Sequence, residues 1–166
     1  MPKIISFEKK ERTYRKRTVK KADLFVSESA LGNMLNHADE GFAEGKEVMG
    51  FVLGEVYRDD GGEYAVAEGT ATSELDSTET SVRFDPEGFE ELFASMDETG
   101  GSIVGWYHSH PGFGCYMSET DIETHVSMFG NGTGFAIVID PSDGTFMAFR
   151  TEDGEQKDAC IIICED

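Results

Sequence analysis

Three features are scarce in this chain: cysteine, long apolar runs and, after the first 21 residues, positive charge. The three cysteines, Cys115, Cys160 and Cys164, are few and odd in number, which argues against a disulfide framework and for reduced thiols. Apolar runs such as residues 135–139 are too short to span a bilayer. The first residues contain no long apolar stretch followed by a small-residue cleavage site, so we predict no secretory signal and a cytoplasmic location.

The charge is distributed unevenly along the chain, whose formal net charge is −19. Residues 1–21 contain nine Lys/Arg and two Glu, whereas the remainder contains five Lys/Arg and thirty-one Asp/Glu. We interpret residues 1–21 as a basic N-terminal arm and residues 22–166 as one acidic domain. Such a domain repels nucleic acid and anionic membranes and attracts basic partners. Composition leaves open whether the acidity reflects salt adaptation or partner binding.

Helical and strand patterns alternate along the acidic domain. Ser27, Asp85 and Ser118 are predicted to cap three helices, the last of which ends at Gly130. Residues 73–81 are polar and without periodicity, which predicts an exposed loop. Strands are predicted at residues 24–26, 48–56, 64–71, 103–108, 135–139, 145–150 and 159–164. Several of these are linked as hairpins, so we predict an α/β (α+β) fold with a mixed sheet and helices packed against it.

Two histidines, His108 and His110, stand two residues apart at the end of a predicted strand. Their side chains therefore point to the same face, and two imidazoles on one face are a natural pair of zinc ligands. Gly112 and Gly114 allow the chain to turn sharply, so that Asp121, in the first turn of the next helix, can return to the metal. Two His and one carboxylate are the protein ligands of an open catalytic zinc site.

Hydrolysis of a peptide bond also needs a group that moves a proton, because the leaving amine must be protonated. Glu47 directly precedes an apolar strand, where burial raises a carboxyl pKa. From spacing alone it is one of thirty-three acids, and a solvated charge is the alternative. The hydroxyl of Ser118 can stabilise an oxyanion or serve only as an N-cap, and both roles stay open.

Several nearby residues are predicted to have ordinary structural roles. Cys115 is expected to pack rather than to bind zinc, because a fourth protein ligand would close the site. Cys160 and Cys164 are expected to be buried thiols. His125 follows Asp121 by one helical turn and is expected to be exposed, although a role in supporting the ligands from behind stays open.

These motifs occur in an order that resembles a known family. Glu47 and the glycines after it, the His-Ser-His-Pro run and the Ser-x-x-Asp run resemble the JAMM metalloprotease motif of the MPN domain family. Residues 104–115 are especially similar to the deubiquitinating member of the proteasome lid, and the resemblance to the family extends over roughly residues 24–150. It implies a curved mixed sheet flanked by helices, one catalytic Zn²⁺ held by His108, His110 and Asp121, water activation by Glu47, and support of the tetrahedral intermediate by Ser118.

The resemblance also implies a substrate and a groove. The reaction would be hydrolysis of the isopeptide bond between the C-terminal glycine of ubiquitin, or a ubiquitin-like modifier, and a lysine. The extended tail would add as a strand beside the 73–81 loop and enter a narrow channel that favours Gly-Gly. The residues expected to contact it are Ser73, Glu74, Asp76 and Glu79 in the loop, and Trp106, Gly112 and Phe113 at the channel.

Sixteen residues follow Arg150, without the long helical extension of the lid proteins, so we expect a stand-alone enzyme of prokaryotic type. Dependence on a proteasome-type or MPN partner stays open. Two other functions are also open: a hydrolase that trims a short peptide or residue from a carrier protein, and a non-enzymatic MPN scaffold. The complete ligand set disfavours the scaffold.

Overall fold

The computed structural model describes residues 12–72, 76–77, 82–83, 102–130 and 134–166. Within these residues the chain forms a large mixed sheet with a helix on each face and a separate two-stranded sheet. The elements are β1 (Thr13–Tyr14), β2 (Leu24–Ser27), α1 (Glu28–Ala43), β3 (Met49–Asp59), β4 (Gly62–Ala71), β5 (Asp76–Ser77), β6 (Val82–Arg83), β7 (Ser102–Ser109), α2 (Glu119–Phe129), β8 (Phe135–Asp140), β9 (Thr145–Glu152), β10 (Glu155–Asp158) and β11 (Ile161–Cys164).

The strands of the large sheet follow the order β10-β9-β8-β7-β3-β4-β2-β11, and β1 pairs with the end of β3. β7 and β8 are parallel, as are β2 and β4, β2 and β11, and β1 and β3, whereas the other pairs are antiparallel. The predicted mixed sheet is therefore confirmed. Because β7 and β8 run in the same direction, their C-terminal ends meet at one edge of the sheet.

Each face of the sheet buries an apolar cluster, which is the main source of stability in a domain of this kind. On one face Leu31, Met34 and Ala38 of α1 pack against the strands. This helix begins where predicted, since Ser27 Oγ accepts a hydrogen bond from the Ala30 amide at 3.1 Å. On the other face, Ile122 and neighbouring residues of α2 pack over Trp106 and its cluster.

The described part of the basic N-terminal arm, residues 12–21, lies against the sheet. β1 pairs with Tyr57 and Arg58 of β3. Arg17 forms an ion pair with Asp59 at 2.7 Å, in which both side chains are more than nine-tenths buried. The guanidinium of Arg17 also lies 4.7 Å from the centre of the Tyr64 ring.

Two features differ from the sequence-based expectations. β10 was not predicted, although Asp153 and Gly154 both have positive φ, 51° and 77°, the conformation that a two-residue Asp-Gly hairpin turn requires. The helix expected after Asp85 lies outside the described residues. None of the described helices is long and apolar enough to cross a membrane.

Candidate metal centre

Three predicted ligands meet at the end of β7. His108 Nε2 lies 3.1 Å from Asp121 Oδ2, and His110 Nε2 lies 3.0 Å from the same oxygen. One ligand atom from each residue lies within 4.8 Å of the other two. Both histidines are buried, at 3% and 7% exposure, and Asp121 is half-buried. The strand and the helix therefore bring together the residues that spacing suggested.

The start of α2 positions Asp121. Ser118 is the N-cap, and its Oγ accepts a hydrogen bond from the Asp121 amide at 3.1 Å. In return, Asp121 Oδ2 accepts one from the Ser118 amide at 2.9 Å, which completes a capping box. The capping role of Ser118 uses its oxygen only as an acceptor, so its hydroxyl hydrogen can still be donated to another group.

Glu47 lies opposite His110. Met49 pairs with His108, and Val48 and Ser109 are joined by two hydrogen bonds, so continuation of this antiparallel register brings Glu47 alongside His110. The Glu47 side chain is buried, at 6% exposure. Burial raises its pKa to about 7, helped by the Asp121 charge and opposed by His110. A carboxyl group with this pKa can both accept and release a proton near neutral pH.

The charges of the cluster are strongly coupled. Burial opposes ionisation of Asp121, but hydrogen bonds from His108 and His110 outweigh it and hold the Asp121 pKa well below its usual range. Burial lowers the pKa of His108. Burial acts in the same direction on His110, but Asp121 and Glu47 outweigh it and raise the His110 pKa. The carboxylate is therefore ionised, as a metal ligand must be.

The donor set fits a divalent cation. Ligand bonds of about 2.0–2.2 Å to a tetrahedral zinc ion separate neighbouring donor atoms by about 3.3 Å, close to the two observed distances. The Nδ1 atoms of His108 and His110 have no hydrogen-bond partner within the described residues. The hydrogen bonds of both rings therefore converge on Asp121. A cation can take the place of the protons that the two imidazoles share with this carboxylate.

Trp106, which was expected at the channel, is buried. Its side chain is 2% exposed, and its ring stacks on His108 with centroids 4.5 Å apart, so it lies beneath the cluster. Its Nε1–H donates to His125 Nδ1 at 2.9 Å. The expectation that His125 is exposed is wrong: the residue is fully buried, because its position one turn after Asp121 faces the sheet. The one-turn spacing from Asp121 was the signal for this supporting role, which the sequence had left open.

The loop after His110 contains the other two residues expected at the channel. Gly112 is exposed and has a φ of 78°, and Phe113 is 58% exposed. The amides of Gly112 and Gly114 both donate to the carboxylate of Asp140, a residue that was not among the predicted site residues. Phe113 therefore projects into solvent from a loop whose backbone is tied to β8.

The remaining predicted residues are not among the three whose ligand atoms converge, and some of them lie outside the described residues. Ser73, Glu74 and Glu79 fall outside them, and Asp76 is described only as part of β5, which pairs with β6. Cys115 is half-buried, and its Sγ lies 3.4 Å from Thr145 Oγ1. The prediction of buried thiols at Cys160 and Cys164 is wrong: Cys160 is exposed and directly precedes the edge strand β11, and Cys164 is half-buried and is the last residue of that strand.

Comparisons with known proteins agree with this geometry. A family model described as JAB1/Mov34/MPN/PAD-1 ubiquitin protease matches residues 20–129. The chain is 36% identical over 126 residues to ubiquitin carboxyl-terminal hydrolase RPN11 of Saccharomyces cerevisiae, a match that covers 73% of this chain and 39% of that protein. It is 33% identical over 123 residues to COP9 signalosome complex subunit 5 of Debaryomyces hansenii, covering 70% of this chain and 25% of that one.

A solved structure supports the fold alone. The solution structure of protein DSY2949 from Desulfitobacterium hafniense matches with a TM-score of 0.65 and 19% identity, over 86% of this chain and 94% of that one. The chain spans less than half the length of the two curated relatives, so their whole-protein activities and assemblies do not transfer directly.

Proposed function

Because the chain belongs to the JAB1/Mov34/MPN/PAD-1 ubiquitin protease family, we propose that it is a zinc-dependent isopeptidase. Its substrate is a conjugate in which the C-terminal glycine of ubiquitin, or of a ubiquitin-like modifier, is joined to a lysine. The observation that carries this proposal is the buried Glu47, with a pKa near 7, beside a His-His-Asp cluster. That combination supplies both a metal site and a proton carrier, which hydrolysis of an amide requires.

Each side chain has a distinct task in the proposed reaction. His108, His110 and Asp121 would hold the zinc ion, which when bound supplies Lewis acidity toward water and the scissile carbonyl. Glu47 takes a proton from the attacking water and delivers it to the departing lysine amine. The hydroxyl hydrogen of Ser118 is donated to the carbonyl oxygen as negative charge develops there. The products are a free glycine carboxylate and a free lysine.

The antiparallel pairing of β5 with β6 supports the proposed mode of substrate binding. Asp76 and Ser77 pair with Arg83 and Val82 in a sheet separate from the main one. An extended modifier tail can add to such a short ribbon through backbone hydrogen bonds. We propose that the segment around Ser73, Glu74, Asp76 and Glu79 guides the tail, and that Gly112 and Phe113 border its exit toward the target lysine.

Glu47→Gln is the sharpest test of the proposal. Loss of the proton carrier is expected to lower kcat/KM for a modifier–lysine conjugate by about 100-fold or more, while zinc content and thermal stability persist. Glu44→Gln, which changes an exposed acid three residues earlier, is the matched control and should leave cleavage unchanged. Full activity of the Glu47 variant would reject the assigned base.

Two further measurements separate the rival functions. A chelator should abolish cleavage, and added zinc should restore it. A purified protein that cleaves no conjugate, whether or not a chelator is present, would favour a scaffold. Equal turnover of the free tail peptide and of the intact conjugate would favour a hydrolase that trims short peptides. Cleavage that appears only when an MPN partner is added would reject stand-alone action.

A further inference from the structure

The loop that joins the two halves of the metal site is held by side chains from the C-terminal part of the chain. Asp140, at the end of β8, accepts hydrogen bonds from the Gly112 amide to Oδ1 at 2.9 Å and from the Gly114 amide to Oδ2 at 3.0 Å. Gln156 of β10 accepts one from the Met117 amide to Oε1 at 2.9 Å. Both acceptors lie beyond residue 129, where the family match ends.

Asp140 is a strong anchor because its carboxylate is buried and accepts four hydrogen bonds. It is 3% exposed, and Oδ1 also accepts from the amide and the hydroxyl of Ser142, at 3.0 and 2.6 Å. Burial opposes its ionisation, but these bonds and those from the two glycines outweigh it and lower the Asp140 pKa. Hydrogen bonds to a buried carboxylate are stronger than neutral ones.

The glycines need such an anchor. Gly112 and Gly114 have φ of 78° and 80°, a region that glycine enters freely but does not prefer over others. Without an external partner, the loop would sample several conformations. The two bonds to Asp140 select one of them, while Gln156 holds Met117, whose side chain is buried at 5% exposure, at the far end of the loop.

The loop decides how the ligands meet, because His110 directly precedes it and Ser118, the N-cap that orients Asp121, directly follows it. We propose that Asp140 and Gln156 are positioning residues that assemble the ligand set of His108, His110 and Asp121 before the metal binds. The contacts above support this positioning role, and its importance for catalysis rests on the proposed function. If the loop were free, metal binding would bear the entropic cost of ordering it.

The test uses Asp140→Asn and Gln156→Ala in the full chain. In the metal-free protein, amide hydrogen exchange measured by NMR should accelerate by about 10- to 100-fold, at Gly114 in the first variant and at Met117 in the second. Gly114 is singled out because the asparagine keeps one acceptor oxygen but presents an NH₂ group in place of the other. Zinc affinity should fall by about 10- to 100-fold in both variants.

The hairpin next to the loop offers a matched control. Asp143 Oδ1 accepts from the amide and the hydroxyl of Thr145, just as Asp140 does from Ser142, but it has no bond to the two glycines among those described. Asp143→Asn should therefore leave both exchange and zinc affinity unchanged. Gln156→Glu retains an acceptor oxygen and should preserve protection at Met117.

Unchanged exchange in both test variants, or faster exchange with unaltered zinc affinity, would overturn the proposal. If Asp140→Asn does not fold, the comparison of Ala with Glu at position 156 decides on its own. Failure of the proposed function would look different: wild-type protein would bind zinc and protect Gly112 and Gly114, yet cleave no conjugate.

Discussion

Trp106 donates its indole N–H to Nδ1 of His125 across 2.9 Å, and this bond joins β7 to α2 beneath the His-His-Asp cluster. The same indole stacks on His108. β7 and α2 are therefore linked twice, by the contact between His108 and Asp121 in the cluster and by the Trp106–His125 hydrogen bond below it. Because His125 is fully buried, this link is shielded from water and rigid in consequence.

Trp106→Phe tests this link. Phenylalanine keeps an aromatic ring next to His108 but removes the donor to His125, so the free energy of unfolding should fall by about 1–3 kcal/mol. Zinc affinity should fall by about tenfold or more, because the ring that supports a ligand is less constrained. Urea denaturation and zinc titration measure the two effects. Tyr116→Phe, at an exposed ring beside His110, should show neither.

The pH dependence of cleavage should report Glu47. Its carboxylate form accepts the proton from water, so kcat/KM should fall as the pH drops through the Glu47 pKa and level off above it. The pKa is about 7 without a cation, and a bound dication favours the carboxylate, so the midpoint should lie at or below about 7. Profiles between about pH 5 and pH 9 measure it. A flat profile would contradict this assignment.

Acid should weaken the attachment of the N-terminal segment. Hydrogen bonds from Arg17, opposed by burial, hold the Asp59 pKa well below its usual range. A depressed pKa means that the pair stabilises the fold fully above the unfolded-state pKa of about 4 and loses this effect as the pH falls further. The stability difference between wild type and Arg17→Met should therefore be large at pH 7 and shrink below about pH 4.

Chemical denaturation at several pH values measures that difference. Lys20→Met, which removes an exposed cation from the same segment, is the control and should change stability little at any pH. A stability difference for Arg17→Met that is constant across the acid range would show that the ion pair is not its source.

Gly105 should not tolerate a side chain. It pairs with Phe135 across the β7–β8 ladder, and a Cβ there would overlap the Phe135 carbonyl. Gly105→Ala should therefore separate the two strands and destabilise the protein by about 1–3 kcal/mol or more. By contrast, Gly32 in α1 has open space around it, and Gly32→Ala should stabilise by about 0.5–1 kcal/mol. Thermal unfolding of the two variants checks the opposite signs.

Local patterns predicted much of the fold and the centre of the candidate site. The period-two spacing of His108 and His110, and the Ser118-x-x-Asp121 cap, are features of a single strand end and a single helix start. Such features depend on backbone geometry within a few residues. They can therefore be predicted without knowing which distant residues pack against them. The missed strand β10 is of the same kind, since its Asp-Gly turn was visible in the sequence.

The sequence by itself determined the spacing of the three candidate ligands and the positions of the helix caps, whereas only the family resemblance singled out Glu47 from thirty-three acids. Only the tertiary structure decided what supports them: Asp140 under the glycine loop, His125 behind Trp106, and Arg17 against Asp59. Each of these pairs joins residues from 19 to 42 positions apart. The sequence around a polar residue does not indicate which distant donor or acceptor will form a hydrogen bond with it, because burial and strand order determine that partner.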